Sequence, residues 1–255
     1  MNEIIEEMSR VLKGKRVCLF WSGGYESTAL LALLIGQKLY EGCDLHVVTV
    51  AFPQEIYEGK AVGEIGRRLR ACGVDHIVLV PRESMGHDYP FDRACARCKQ
   101  IRRAVICDHL KEYYGDGEVV YLTGHNLDDI ASYTLELLAA CFSGKECARA
   151  RFLECANKFE RSFAYSDNVH FYRPFCALTR AQIGAMTDGE GFAFFDRLVK
   201  KDCYWLRQRK RLLQEYLVSA GIELSYEGVR RVFDANFARP SAQEYRELSF
   251  DTYFM

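Results

Sequence analysis

The segment that decides the fold reads Ser22-Gly23-Gly24-Tyr25-Glu26-Ser27-Thr28. An apolar run at residues 17–21 precedes it and a leucine-rich stretch at 29–39 follows, the pattern of a strand, a short loop and a helix. The glycines allow the backbone to approach an anion, which the N–H groups at the helix start would attract. The hydroxyls of Ser22, Ser27 and Thr28 would add donors. The segment predicts a phosphate-binding loop; the alternative is a glycine-rich turn that serves only packing.

A second polar segment reads Gly124-His125-Asn126-Leu127-Asp128-Asp129, and it follows an apolar run at residues 119–123. Carboxylates at the start of a helix are stabilised by the helix dipole, so capping alone would explain Asp128 and Asp129. The alternative is that these two residues share Mg²⁺ or act as a base. In that case His125 and Asn126 would hydrogen-bond a nucleotide or a substrate.

Two cysteines at CxxC spacing, Cys95 and Cys98, stand at the start of a predicted basic helix. A helix N-terminus and nearby cations favour the thiolate form. The pattern by itself suits zinc, an iron–sulfur cluster or a dithiol redox pair. The cations that follow, Lys99, Arg102 and Arg103, form either a solvated helix face or a positive rim suited to phosphate.

Together these segments resemble the PP-loop ATP pyrophosphatases, which split ATP into AMP and pyrophosphate. Residues 22–28 are similar to the SGGxDS loop of that family, although Glu26 stands where the family usually has Asp. Residues 124–129 are similar to the GHxxDD segment of the branch that contains tRNA-thiolating and lysidine-forming enzymes. The CxxC pair before a basic helix resembles the tRNA 2-thiolation enzymes, in particular the 2-thiocytidine synthetases. The resemblance covers about residues 15–215.

The resemblance implies a set of site residues. The ATP-binding residues would be Ser22, Gly23, Gly24, Glu26, Ser27, Thr28, Gly124 and His125, and the catalytic residues Asp128, Asp129 and Lys99. Mg²⁺ is expected because a carboxylate beside phosphates is repelled unless a cation bridges them. The resemblance further implies a [4Fe–4S] cluster held by Cys95, Cys98 and Cys203, with Cys176 as a rival third ligand and zinc as the alternative metal.

The remaining cysteines lie in apolar or helical surroundings, where a buried free thiol is the expected role. They are Cys18, Cys43, Cys72, Cys107, Cys141, Cys147 and Cys155. A second basic run at residues 207–211 would join the rim around the CxxC pair if Cys203 converges with it. Tyr204 and Trp205 would then stack a base or simply pack.

Apolar strands alternate with helical patterns along the chain, which predicts an α/β fold with a parallel five-stranded sheet covered by helices on both faces. The predicted strands are 16–21, 45–51, 76–80, 119–123 and 170–172, and the helices between them are 27–40, 58–72, 95–113 and 127–141. We expect an α/β domain at residues 1–190 with a helical insertion at about 143–168. A C-terminal helical segment follows at 191–255, with a basic helix at 202–220 and a loosely ordered tail beyond Pro240.

The composition is that of a packed globular protein: 255 residues, 49% of them apolar, with a net charge of −1. This charge argues against an extended nucleic-acid-binding surface and leaves room for a local patch. No run of 18 apolar residues occurs, and the acidic, amphipathic N-terminus is unlike a signal peptide. We therefore expect a cytoplasmic protein whose 11 cysteines are not paired in disulfides.

The predicted function is ATP-dependent adenylation of a carbonyl oxygen followed by sulfur transfer, similar to tRNA thiolation. Expected partners are ATP, a tRNA or a small nucleobase-like substrate, a sulfur donor and, as one option, a second copy of the chain, with no membrane contact. Three alternatives stay open. The first is an enzyme that thiolates or amidates a small molecule. The second is an ammonia-using ligase in which the cysteines hold structural zinc. The third is a nucleotide-binding sensor that no longer turns over ATP.

Overall fold

The computed structural model describes residues 2–53, 59–83, 94–115, 117–143, 149–187, 215–217 and 219–246. Its strands are β1 (Arg16–Phe20), β2 (Asp44–Val50), β3 (Asp75–Leu79), β4 (Val119–Leu122), β5 (Ser162–Ser166) and β6 (Val169–Tyr172). Its helices are α1 (Asn2–Leu12), α2 (Tyr25–Gly36), α3 (Gly59–Ala71), α4 (Ala94–Tyr114), α5 (Leu127–Phe142), α6 (Arg149–Ala156), α7 (Arg180–Thr187), α8 (Tyr226–Asn236) and α9 (Ala242–Arg246). Short 3₁₀ helices span Leu39–Gly42 and Asn157–Phe159.

The described strands form one sheet in the order β3-β2-β1-β4-β6-β5. All neighbouring pairs are parallel except β5 and β6, which form an antiparallel hairpin at one edge. The five parallel strands are those predicted from the sequence, within one or two residues at each end. The predicted α/β fold is therefore confirmed, with one strand more than expected.

Successive side chains along each strand point to opposite faces of the sheet, which divides the core into two layers, one on each face. Val17 and Leu19 of β1 pack with α1 and α2, whereas Cys18 between them packs against α4 and α5 on the other face. Helix α2 is buried almost all round, with nine consecutive buried residues from Ser27 to Ile35. Both sheet faces are thus covered, as the continuous apolar strands require.

The chain order along the sheet reverses beside β1. From β1 the chain proceeds outward through β2 and β3, and it then returns to place β4 on the opposite side of β1. In open α/β sheets this switch point is where ligands bind, at the carboxyl ends of the strands. The loops after β1 and β4 are the two polar segments singled out in the sequence.

Two regions differ from the sequence-based expectation. The expected helical insertion at 143–168 contains α6, but its last part is the edge strand β5. The tail beyond Pro240, expected to be loosely ordered, contains α9, whose Tyr245 is buried against Phe163 of β5. Most of the predicted basic helix at 202–220 lies outside the described residues. Within this segment, residues 215–217 and 219 are described as helical.

The segment 226–236 lies in the C-terminal helical segment predicted at 191–255, although no separate helix was predicted there. Helix α8 packs through Phe233 against Phe159 and Phe152. The described residues after 215 therefore pack partly on the α/β core rather than forming a separate unit. Within the described parts of the chain, no helix combines the length and apolarity needed to cross a membrane.

Candidate functional site

The phosphate loop, residues 22–28, connects the end of β1 to the first turn of α2. Gly23 has a φ of +69°, a conformation that side-chain-bearing residues rarely adopt. Gly24 caps α2 with extended backbone and offers no side chain to the first-turn N–H groups. The loop thus provides the helix N-terminus predicted from the sequence.

The hydroxyl groups of the phosphate loop hold it in shape. Ser27 Oγ donates to the carbonyl of Gly24 at 3.0 Å and lies 3.0 Å from Ser22 Oγ. Thr28 Oγ1 is fully buried and accepts a 3.0 Å hydrogen bond from the indole Nε1 of Trp21. These bonds fix the turn; a direct contact of Ser22, Ser27 or Thr28 with an anion remains a prediction.

The second loop, residues 123–126, lies directly against the phosphate loop. A β-carbon added at Gly124 would stand 2.9 Å from the backbone N of Ser27 and 3.0 Å from the carbonyl carbon of Glu26. Gly124 is therefore required for close approach of two backbones rather than for an unusual φ. The two motifs, about 100 residues apart in sequence, thus lie against each other at the switch point of the sheet.

Polar side chains of the second loop are held by local hydrogen bonds. His125 Nδ1 lies 2.9 Å from Thr123 Oγ1. Asn126 caps α5, since its side chain accepts from the N–H of Asp129 and Asp129 Oδ2 accepts from the N–H of Asn126. Asp129 therefore takes part in a capping box, which was one of the two roles predicted for it. Its proposed role in metal binding or catalysis stays a prediction.

Asp128 connects two helix N-termini. Its Oδ2 accepts the backbone N–H of Arg180, the first residue of α7, at 2.7 Å, and also the side-chain amide of Asn126 at 3.2 Å. Asp128 is 5% exposed, so this bond is shielded from water. The contact fixes the start of α7 beside the second loop.

Helix α7 also contacts the phosphate loop. The guanidinium carbon of Arg180 lies 4.4 Å from the ring centre of Tyr25, and a β-carbon at Gly184 would stand 3.0 Å from the Tyr25 hydroxyl. The start of this helix has a local signal in the sequence, because Thr179 and Gln182 form a capping box. The sequence contains no local signal that Arg180 would lie over Tyr25, 155 residues earlier.

The predicted metal ligands lie partly outside the described structure. Cys95 and Cys98 are in the first turn of α4, where residues three apart share a helix face. Cys98 is half-buried, the side chain of Cys95 is not described, and Cys203 lies outside the described residues. Among the side chains that are described, no group of three His, Cys, Asp or Glu residues is placed to hold a metal.

Lys99, predicted to be catalytic, forms an ion pair with Glu154 of α6. Arg103 and Arg151 bond the same carboxylate at 2.8 and 2.9 Å. Burial alone would raise the pKa of Glu154, but Lys99 and the two arginines lower it to about 2. Burial lowers the pKa of Lys99. This network ties the helix of the CxxC pair to α6; a catalytic role for Lys99 remains a prediction.

The other cysteines mostly have the expected buried positions. Burial raises the pKa of Cys18 and of Cys155 to about 12, so both stay protonated thiols.

Cys176, the rival ligand, is buried and hydrogen-bonded to Arg161, and its pKa is raised by burial. Cys43 and Cys72 are half-buried, and Cys141 is exposed, contrary to expectation, because it lies on the solvent face at the end of α5. Cys147 lies outside the described residues.

Solved structures with a similar fold exist. The chain is similar to the U34-tRNA thiolase NcsA from Methanococcus maripaludis, solved with its [4Fe-4S] cluster, with a TM-score of 0.63 and 17% identity over 91% of this chain and 78% of that chain. At a TM-score of 0.45 it is similar to NMN synthetase from Francisella tularensis, with 10% identity over 100% of this chain and 96% of that one. The NH3-dependent NAD synthetase from Campylobacter jejuni also has a TM-score of 0.45, with 13% identity over 92% and 93% of the two chains.

No protein-family model matches the sequence, and no curated protein matches it. The likeness to the thiolase concerns the fold. It confirms the α/β architecture that was predicted from the sequence.

Proposed function

We propose that the protein adenylates a carbonyl oxygen of a tRNA base with ATP and then replaces that oxygen with sulfur. The observation that carries the proposal is the contact between Gly124 and the backbone of the phosphate loop at the switch point of the sheet. This contact joins a phosphate cradle and a polar second loop in one site. The thiolase of similar fold makes sulfur transfer the favoured reaction among those open to such a site.

In the first step the carbonyl oxygen attacks the α-phosphorus of ATP and pyrophosphate leaves. A carbonyl oxygen is a poor leaving group, whereas the AMP ester formed in this step is readily displaced. The N–H groups at the start of α2 would stabilise the charge that develops on the leaving pyrophosphate. His125, whose ring is fixed by Thr123, would orient the nucleotide from the second loop.

Mg²⁺ fits the donor set at the phosphate loop. The carboxylate of Glu26 lies beside Gly24, with Oε2 3.9 Å from the position of a β-carbon on Gly24. Carboxylate oxygens are the donors that Mg²⁺ prefers, together with phosphate oxygens of the nucleotide. Glu26 would hold the ion, which would offset the repulsion between its carboxylate and the phosphates.

The CxxC pair fits a soft metal centre. Thiols at positions 95 and 98, three residues apart near the start of α4, are suitable ligands for iron or zinc, and Cys203 is the proposed third ligand. A [4Fe–4S] cluster with one iron not bound by protein would supply a binding position for sulfur. The ion pairs of Lys99 and Arg103 with Glu154 would hold the first turns of α4 in place beside the site.

Anaerobic purification and activity measurements test the proposal. We expect a brown, iron-containing protein that releases AMP and pyrophosphate with tRNA and introduces sulfur into it. The Cys95→Ser, Cys98→Ser and Cys203→Ser variants should lose iron and thiolation, whereas Cys141→Ser, at an exposed thiol, should retain both. Colourless protein with bound zinc would exclude the sulfur step. AMP release with free nucleobases alone would identify a small-molecule enzyme instead.

A further inference from the structure

The phosphate loop contains no lysine, and its one charged side chain, Glu26, is acidic. Bound phosphates would therefore meet a carboxylate and no positively charged side chain of the loop itself. A cation from elsewhere in the fold would strengthen anion binding, because charge-assisted hydrogen bonds to phosphate are stronger than those from neutral groups.

Arg180 is the cation that the fold brings to the loop. Its guanidinium carbon lies 4.4 Å from the ring centre of Tyr25, the fourth residue of the loop. Cation–π contacts of this length restrict the guanidinium group to one side of the ring. Among the residues that the structure describes, Arg180 forms no ion pair with a carboxylate, and the residue is exposed to solvent.

Three further contacts hold Arg180 in this position. The backbone N–H of Arg180 donates to Asp128, which anchors the start of α7 to the second loop. One turn later, Gly184 leaves the space that the Tyr25 hydroxyl occupies. The capping box of Thr179 and Gln182 fixes the first turn of α7. These contacts hold the first turn of α7, and with it the backbone of Arg180, against both loops of the site.

We propose that Arg180 is a phosphate-binding residue of the site, positioned by Tyr25, and that it binds the pyrophosphate part of the nucleotide. This proposal rests on the proposed function only in the identity of the ligand. Arg180 would donate to phosphate oxygens that the N–H groups of α2 leave unpaired. It would also offset the charge of Glu26 on the same loop.

Calorimetric titration of the full chain with magnesium pyrophosphate and, separately, with adenosine tests the proposal. Arg180→Ala should weaken pyrophosphate binding by about tenfold to a hundredfold, the usual range for loss of a charge-assisted hydrogen bond, and leave adenosine binding unchanged. Arg180→Lys should restore part of the lost affinity. Arg10→Ala, at an exposed position on α1, is the matched control and should bind both ligands as the wild type does.

The tyrosine variants separate positioning from direct binding. Tyr25→Phe keeps the ring and should retain affinity, whereas Tyr25→Leu removes it and should weaken pyrophosphate binding. The Arg180 backbone bond to Asp128 survives in every Arg180 variant, so the melting temperature should change little. Unchanged pyrophosphate affinity in Arg180→Ala would overturn the proposal. If no acceptor supports AMP release but the binding pattern holds, the reaction assignment fails and the role of Arg180 stands.

Discussion

At the scale of single residues, close backbone approach is the strictest requirement of this site. Gly124 meets it, since its α-carbon lies where any side chain would contact the main chain of Ser27 and Glu26. The neighbour is backbone, which cannot rotate away as a side chain can. Gly124 is thus the position where the smallest change in sequence should have the largest effect on the nucleotide site.

We expect Gly124→Ala to abolish or strongly weaken nucleotide binding, because the added methyl group forces the two loops apart. Overpacking of this kind costs about 1–3 kcal/mol in stability. Titration with ATP and thermal denaturation measure the two effects. Gly36→Ala, at the end of α2 where a β-carbon meets nothing within 4 Å, is the control and should bind ATP normally. Equal ATP affinity in both variants would contradict the close contact.

His76 of β3 should make stability depend on pH. Burial, with a smaller effect of Arg70, lowers the pKa of His76 to about 4, and its Nε2 lies 2.9 Å from Thr49 Oγ1. The unfolded chain binds a proton near pH 6.5 and the folded chain only near pH 4, so stability is lost as pH falls through that window. The loss reaches about 3 kcal/mol.

A His76→Gln variant should remove this dependence while keeping a hydrogen bond to Thr49. Urea denaturation between pH 7 and pH 4 would compare the two proteins. The wild type should lose stability steadily across this window, whereas the variant should show a shallower slope. Parallel curves would mean that His76 titrates at the same pH in the folded and unfolded chains.

At the scale of elements, α4 and α6 are joined by one carboxylate with three cations. Glu154 is 8% exposed and bonds Lys99 and Arg103 from α4 as well as Arg151 from its own helix. Removal of a buried partner leaves charges without compensation. The CxxC pair lies near the start of the same helix α4. The ion pairs therefore fix the end of α4 at which the metal centre is predicted.

We expect Glu154→Gln to destabilise the fold by about 3 kcal/mol or more, because it removes the buried negative charge that Lys99, Arg103 and Arg151 share. Glu118→Gln, which breaks the exposed ion pair with Lys15, should change stability little, because solvent screens exposed charges. Denaturant unfolding at neutral pH gives both values. The difference in stability between the two variants should shrink as pH falls from about 4.5 toward 2, the window between the ordinary pKa of a glutamate and the lowered pKa of Glu154. Similar losses in both variants at neutral pH would contradict a buried network.

The sequence predicts the parallel strands and both loops because their signals are local. Glycines, caps and continuous apolar runs lie within a few residues of each other. The strand β5 was missed although Phe163 and Tyr165 alternate with smaller residues, since the segment lies among residues typical of a helix. Helix α9 has a local signal in Ser241 and Glu244, which form a capping box.

The candidate site is predictable only in part, for a related reason. Gly124 and the phosphate loop belong together because parallel strands end at one edge of the sheet. The contact of Arg180 with Tyr25 and the pairing of Lys99 with Glu154 depend on how helices distant in sequence pack. Side-chain packing across elements has no period or motif in the sequence, so these partners appear only in the folded chain.

At the scale of the whole molecule, the C-terminal region contributes to the core of the α/β domain. Phe233 of α8 is 2% exposed, and its ring centre lies 4.5 Å from that of Phe159 and 5.2 Å from that of Phe237. The described part of residues 191–255 thus covers apolar surface that the predicted domain at 1–190 would otherwise expose. The two predicted units are expected to fold together.

We therefore expect Phe233→Ala to lower the free energy of unfolding of the full chain by about 3–5 kcal/mol, as removal of a buried aromatic side chain does. Val232→Ala, at the exposed neighbouring position, should cost less than about 1 kcal/mol. Urea denaturation followed by circular dichroism compares the two. A single transition in the wild type that splits into two in Phe233→Ala would instead indicate independently folding units.

The strand order also has a consequence for synthesis on the ribosome. The central strand β1 pairs with β4 through Val17 and Val120. The backbone groups on that edge of β1 therefore stay unpaired until β4, about 100 residues later in the chain, has been synthesised. Until then a nascent chain presents an open, apolar ladder to other chains, which is a known hazard for aggregation. Premature termination before β4 should yield fragments that depend on chaperones, whereas chains that extend past Tyr172 can close the sheet.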